Sequence, residues 1–188
     1  MIKLYNVKDD YIDYLRKFDH KVLMNKKETR PYVGVVLVIN NMKYYVPLMS
    51  PKGKFAHMHN AKDFHKIAGG RYGAINFNKM IPVIDDALII MDIDKEPDLR
   101  YKSLLQNQYR ELSKIIDTIM MKSASIYNLF IIDDKDLSSS DIRVKERCCN
   151  FMLLEEKLLE YTIEIFEGNI ALNAADVGHK PEREMQSE

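Results

Sequence analysis

The chain lacks most of what marks a secreted or membrane protein. Its 188 residues include only two cysteines, Cys148 and Cys149, and these are neighbours. Adjacent cysteines rarely bond to each other, and one pair builds no disulfide framework; the expectation is a reduced, cytoplasmic protein. No run of about 18 apolar residues occurs, so no membrane span is expected. The opening Met1-Ile2-Lys3-Leu4-Tyr5 leads into no apolar segment of the signal-peptide kind. Internal repeats are missing as well. What remains is a 46% hydrophobic chain able to bury a sizeable core, of a length that suits one domain.

Net charge is also lacking, with 28 basic against 28 acidic residues, but the zero hides a division. Residues 1–82 hold 15 Lys and Arg against 6 Asp and Glu, whereas residues 83–188 hold 13 against 22. Four of the five histidines, His20, His57, His59 and His65, fall in the basic half. Such asymmetry points to a half that faces a polyanion and a half that faces solvent. The plainer alternative is that the charges pair across the fold.

Apolar periodicity divides the chain into strands first and helices later. Ile2–Asn6 alternates as a strand, and Asp9 or Asp10 is placed to cap a helix reaching Phe18. Val33–Ile39 and Lys43–Leu48 read as strands joined at Asn40-Asn41, a hairpin turn because Asn tolerates positive φ. Residues 50–70 form an unusually long loop, with a helical turn expected near Ala61–Ile67. Tyr72–Phe77 and Ala87–Ile93 are further strands. Asp98 is placed to cap one long helix whose stripe runs from Tyr101 to Met120, and Ser123–Ile132 reads as another helix. Residues 133–141 read as a linker, Asn150 as the cap of a last helix, and residues 168–188 as a disordered polar tail beyond a single domain at 1–167. The order argues for an α+β fold with an antiparallel sheet.

Ser50-Pro51-Lys52 closes the second hairpin strand. Pro51 fixes its own φ and biases Ser50 towards extended backbone, which sets the hydroxyl at a defined place. Serine alone is a poor nucleophile, and no Gly-x-Ser-x-Gly elbow surrounds this one. Its chemistry suits hydrogen bonding to a phosphate or a ribose hydroxyl, with Lys52 supplying charge; otherwise it is a turn with exposed lysines. Counting out from the Asn40-Asn41 turn places Tyr32 near Met49 and Ser50, so Arg30, Tyr32, Ser50 and Lys52 are expected to converge. Arginine binds phosphate through its planar fork, and tyrosine stacks on bases or donates from its hydroxyl. The alternative for Tyr32 is a half-buried ring at a strand start.

The basic residues and aromatics expected to contact RNA are Lys26, Lys27, Lys54, Phe55, His57, His59, Lys62, Lys66 and Lys79. A metal is not expected. His57-Met58-His59 lacks a third ligand, Cys148-Cys149 has no nearby partner, and Asp92 and Asp94 lead into a helix start where acids favour the dipole. No other cofactor is implied.

Six segments carry a likeness to a known family: Ile2-Lys3-Leu4-Tyr5, the run from Tyr11 to Asp19, Tyr32-Val33-Gly34-Val35-Val36, Tyr45 to Lys52, Ala74 to Val83, and Cys149 to Lys157. In this order they make the chain resemble the ToxN/AbiQ endoribonuclease toxins of type III toxin–antitoxin and abortive-infection systems. The resemblance implies a twisted antiparallel sheet flanked by helices, similar to the MazF/Kid fold. It implies metal-independent RNA cleavage leaving 2′,3′-cyclic phosphate and 5′-hydroxyl ends. It also implies an antitoxin RNA pseudoknot as inhibitor, in a closed assembly of three toxins with three RNAs. By position, Ser50 and Lys52 match the family's active-site serine and lysine, and Arg30 falls where a basic residue is expected. Met49 departs from the pattern, standing where relatives have a hydroxyl residue. The family's tyrosine before the strand has no counterpart at its usual place, and Tyr32 is the nearest substitute. Lys52, Tyr32 and a loop histidine are the candidates for general acid and base. A non-catalytic RNA-binding module and a metal nuclease built on Asp92 and Asp94 are the alternatives.

Overall fold

The computed structural model describes residues 2–25 and 27–177. Seven strands form one sheet: β1 Lys3–Val7, β2 Tyr32–Ile39, β3 Met42–Met49, β4 Phe64–Lys66, β5 Ala74–Asn76, β6 Ile81–Pro82 and β7 Leu88–Ile90. Their order is β4-β5-β3-β2-β1-β7, with β6 also on β3, and every pairing is antiparallel. Five α-helices accompany them: α1 Asp9–Phe18, α2 Leu99–Lys114, α3 Ile116–Asn128, α4 Ser139–Arg147 and α5 Phe151–Val177. The fold is α+β, as expected, and no described helix is long and apolar enough to cross a membrane.

The β2–β3 hairpin turns at Asn40 and Asn41, with φ of 48° and 66°. A two-residue turn with both φ positive matches the twist of the strands it joins. Its register is not the one that simple counting gives. Leu37 pairs with Tyr44, but Val33 pairs with Val46, so β2 spends four residues where β3 spends two. This bulge brings Tyr32 opposite Pro47 rather than beside Met49 and Ser50. Gly34 lies within the bulge, where a Cβ would come 2.0 Å from the Tyr45 ring; no larger residue fits there.

β3 is the organising strand. One edge carries β2; the other carries β6 near Tyr44 and Tyr45, then β5 at Leu48 and Met49. Its pairing stops at Met49, which leaves Ser50 at the open end. The core around it is rich in tyrosine: Tyr11, Tyr32, Tyr44 and Tyr45 are each at most 1% exposed. Fully burying one large side chain contributes about 1.5–3 kcal/mol, so these four rings are a major part of the stabilisation. Their hydroxyls need partners. Tyr11 donates to the Pro82 carbonyl at 2.8 Å, and Tyr44 and Tyr127 both donate to Glu155 Oε1, at 2.7 and 2.9 Å. Glu155 thereby ties α5 to the sheet and to α3.

The helical half differs in detail from the sequence reading. Asp98 accepts from the amides of Arg100 and Tyr101 and caps α2, but the long stripe is broken at Ile115, with φ −118° and ψ 20°. Leu112 and Ile119 stay buried on either side, because a one-residue kink preserves steps of three and four. Residues 123–132 are therefore the end of α3 and a turn, not a separate helix. The 133–141 linker contains the start of α4, capped by the Ser138 hydroxyl on the Asp141 amide at 3.1 Å. At α1 neither aspartate is the cap. Lys8 holds that position, and Glu28 reaches across to accept from the Asp9 amide at 3.1 Å. Ala61–Ile67 forms no helical turn; β4 occupies its second half. α5 continues past the boundary expected at residue 167 to Val177, along the alanine-rich run 170–175. Residues 178–188 of the expected tail lie outside the described residues.

Candidate active site

Ser50 is exposed at the point where β3 leaves the sheet. The side chains of alternate strand residues share a face. Accordingly Leu48 and Ser50 line one cleft together, with Thr29, Arg30, Pro31 and the ring of Tyr101. Backbone geometry explains why Arg30 is there. The Leu48 amide donates to the Pro31 carbonyl at 2.9 Å, so the residue before Pro31 falls level with the end of β3. Arg30 Nε donates to the Met24 carbonyl at 3.0 Å, which fixes one edge of the guanidinium. The expected meeting of Arg30 and Ser50 is thus present despite the shifted register.

Tyr32 occupies a different place. It is 1% exposed, and burial pushes its phenol well above the ordinary range, with Arg30 only partly offsetting this. A base has no access to a ring packed in this way. The bulge in β2 is the cause: it draws Tyr32 two residues deeper along β3 than counting suggests.

Tyr101 stands in the cleft instead, although its spacing alone places it in the apolar stripe of α2. The Asp98 cap starts the helix so that Tyr101, in the first turn, comes over the start of β2. Its hydroxyl donates to the Thr29 carbonyl at 3.4 Å. Burial and the nearby Glu96 carboxylate raise its pKa, so it remains a proton donor at neutral pH. A half-buried tyrosine at the first helical turn after an Asp cap was the available signal.

Met49 faces the other side of the strand. It packs on a small cluster of Phe55, Phe64 and Ala74, away from Leu48 and Ser50. The departure at this position therefore leaves the lining of the Ser50 cleft intact.

Lys52 is exposed and turns from Ser50 into a second, adjoining cleft, which it shares with Arg71. The Phe55 amide donates to the Lys52 carbonyl at 2.9 Å, holding the backbone as it enters the 3₁₀ turn Gly53–Ala56. Ser50 and Lys52 therefore sit on two sides of one ridge, Ser50-Pro51-Lys52.

The remaining basic and aromatic residues divide into two groups. Lys27, Lys54, His57 and His59 are exposed, Lys66 is half-buried, and neither cleft is lined by a histidine. The others are engaged elsewhere. Phe55 is 1% exposed, with its ring 5.6 Å from that of Phe64, so it belongs to the core and offers no stacking face. Lys62 is ion-paired with Asp141, and Lys79 donates to the Arg147 carbonyl at 2.7 Å. Arg147 in turn binds the buried Asp63 at 3.0 Å, and Asn78 donates to the same carboxylate at 2.8 Å. These contacts anchor the 50–70 segment to the helices, which explains why a long loop holds one shape. Lys26 lies outside the described residues.

Asp92 accepts from the Asp94 amide at 3.2 Å and pairs with Lys95 at 3.1 Å, a local turn cap. Cys148 and Cys149 are free and buried, and burial pushes both thiols up to about 12. Neither is poised as a thiolate.

The family model described as toxin ToxN, type III toxin–antitoxin system, matches residues 3–159. An endoribonuclease ToxN of Bacillus thuringiensis subsp. kurstaki is 35% identical over 163 residues, covering 85% of this chain and 84% of its own. An endoribonuclease AbiQ of Lactococcus lactis subsp. lactis is 32% identical over 173 residues, covering 86% and 90%. Among solved structures, one described as selective toxin inhibition by a non-coding RNA pseudoknot superposes with a TM-score of 0.77 at 34% identity, covering 86% of this chain and 98% of that one. The lactococcal anti-phage endoribonuclease AbiQ superposes with a TM-score of 0.71 at 28% identity, covering 86% and 98%.

Proposed function

The chain belongs to the ToxN family of type III toxin–antitoxin toxins, and from that premise we propose that it is a sequence-selective, metal-independent endoribonuclease acting in the cytoplasm. The observation that carries the reading is the meeting of Ser50 and Arg30 in one cleft at the open end of β3. RNA brings its own nucleophile. The 2′-oxygen attacks the adjacent phosphorus, the bond from phosphorus to the 5′-oxygen breaks, and the 2′ proton leaves as another is delivered to the 5′-oxygen. The products are a 2′,3′-cyclic phosphate and a 5′-hydroxyl. No protein nucleophile is needed; the site has only to hold the nucleotide in line and stabilise added negative charge.

In this reading Arg30 and Lys52 stabilise the charged phosphate and Ser50 aligns the reacting groups. Tyr101 exchanges its long hydrogen bond to the Thr29 carbonyl for one towards the leaving oxygen, the role that buried Tyr32 has no access to fill. Inhibition follows from an antitoxin RNA pseudoknot occupying the same basic face, in a closed assembly of three toxins and three RNAs. The sheet is of the MazF/Kid kind.

The test is incubation with RNA in EDTA, followed by analysis of the fragment ends. Fragments whose 5′ ends accept phosphate from a kinase without prior dephosphorylation, and whose 3′ ends are cyclic phosphates, support the mechanism. Cleavage abolished by EDTA would transfer the chemistry to Asp92 and Asp94. Uncut RNA with salt-sensitive binding would leave a binding module.

A further inference from the structure

Apart from Lys52, the groove on the far side of the Ser50-Pro51-Lys52 ridge takes no part in the chemistry above. Lys52 and Arg71 flank it, and Gly53, Ala56, Ala68 and Gly69 make its floor. The lining contains two cations and no carboxylate. Among the described residues neither Lys52 nor Arg71 forms an ion pair, and the Arg71 guanidinium lies 5.4 Å from the centroid of the Tyr72 ring. Two uncompensated cations sharing a cleft repel each other, and an anion placed between them relieves the repulsion.

The floor is open and firmly held. A Cβ added at Gly53 or Gly69 meets nothing within 4 Å, so ligand backbone has room to approach. Beneath it, Gly70 packs so closely on Phe55 that an added Cβ would come 2.8 Å from the Phe55 Cβ. That contact locks the 3₁₀ turn Gly53–Ala56 against the turn Ile67–Gly70. Gln108 of α2 adds a hydrogen bond to the Tyr72 carbonyl at 2.8 Å, fixing the residue after Arg71. The groove is therefore preformed.

We propose that this groove binds the phosphodiester of the nucleotide next to the one held in the Ser50 cleft, with Arg71 as its principal phosphate ligand. The two clefts share the ridge as a common wall, so a single strand lying across Ser50-Pro51-Lys52 enters both. The scissile phosphate then sits over the ridge, between Arg30 on one side and Lys52 on the other, and the next phosphate lies further into the groove against Arg71. The proposal rests on the endoribonuclease reading for its substrate class.

The probe is a fluorescein-labelled 2′-O-methyl RNA 12-mer of mixed sequence, which has no free 2′-hydroxyl and so binds without being cut. Arg71→Ala should weaken its binding on the order of 10-fold and reduce the salt slope by roughly 0.7, the value for one lost contact to a single strand. Arg71→Lys should keep the slope, because the charge remains. Gly53→Asp, which sets a carboxylate between the two cations, should weaken binding at least as much. With cleavable RNA, Arg71→Ala should raise KM and leave kcat close to the unmodified value. Wild-type affinity and salt slope in both Arg71→Ala and Gly53→Asp would overturn the groove. Arg71-dependent binding by a protein that cuts no RNA would overturn the nuclease reading and leave the groove standing. Cleavage with an Arg71-independent affinity would do the reverse.

Discussion

Gly73 lies so close to the Met49 carbonyl that a Cβ on it would come 1.9 Å from that oxygen. Its φ of +96° is also a conformation that side chains disfavour. Gly73 precedes β5, whose Ala74 pairs with Met49, so this contact presses the end of β3 into place immediately before Ser50. Gly73→Ala must open the contact and adopt a strained φ. The φ alone costs on the order of 1–3 kcal/mol. A fall in Tm of about 2–4 °C per kcal/mol is expected for a chain of this size, together with lower RNA cleavage because Ser50 shifts. A variant with unchanged Tm and activity would show that the strand end tolerates displacement.

Ser50 itself carries no such structural burden, being exposed and outside the sheet. Ser50→Ala is expected to leave Tm within about 1–2 °C, since surface substitutions shift stability by about 0.5 kcal/mol or less. Cleavage should nevertheless fall on the order of 10²-fold or more, as when a donor to a developing oxyanion is removed. Measuring thermal unfolding and the cleavage rate on the same preparation separates the two effects. Full cleavage by Ser50→Ala would remove this residue from the site.

The two tyrosines near Arg30 offer a sharper contrast. Tyr101 lines the Ser50 cleft, whereas Tyr32 is packed in the core. Tyr101→Phe keeps the ring and loses the donor, so kcat should fall about 10²-fold with little change in Tm, the low end of what positioned acids contribute. Tyr32→Phe should retain near-normal cleavage. Truncation to Tyr32→Ala should instead cost about 3–5 kcal/mol of stability, as for other large buried rings. If Tyr32→Phe abolished cleavage in a folded protein while Tyr101→Phe did not, the assignment of the phenol would be reversed.

These tyrosines also show where sequence was and was not enough. The Asn40-Asn41 hairpin, the open strand end at Ser50 and the approach of Arg30 were all legible, because turn chemistry and strand order determine them. The position of Tyr32 was not. It depends on a bulge in which Gly34 lies against the Tyr45 ring, a contact between strands that no local pattern announces. Tyr101 was hidden for a related reason. Its spacing fitted the apolar stripe of α2, and only the packing of that helix against the β2 start reveals a hydroxyl in a cleft. The family likeness singled out Ser50 and Lys52 but not the ridge that sets them in separate clefts. The basic loop misled most. Lys62 and Lys79 carry the charge expected of an RNA surface, yet Asp141 and the Arg147 carbonyl engage them, and Phe55 is core. Charge read along a chain does not say which charges are already paired.

Burial of titratable groups predicts the response to alkali. Cys148 and Cys149 are held up to about 12 from an ordinary 9.0, chiefly by burial. Tyr127 is held up to about 12 from 10.0, and Tyr11, Tyr32, Tyr44 and Tyr45 are all raised, again chiefly by burial. The sign follows from proton binding. Above the unfolded pKa the unfolded chain loses protons that the native state keeps, so stability falls as pH rises. Below pH 9 all of this stabilisation is present. Between pH 9 and 10 the thiols dominate the loss, and above pH 10 the tyrosines add to it, each group costing up to about 1.4 kcal/mol per pH unit. Urea unfolding measured from pH 7 to pH 11 should show a plateau, then a decline that steepens past pH 10. A Cys148→Ala, Cys149→Ala double variant should be less stable at pH 7 because it leaves small cavities, but its decline should begin about one pH unit later. An unmodified protein whose unfolding free energy stayed level to pH 11 would contradict the burial of these groups, and so would a double variant whose decline began at the same pH as the parent.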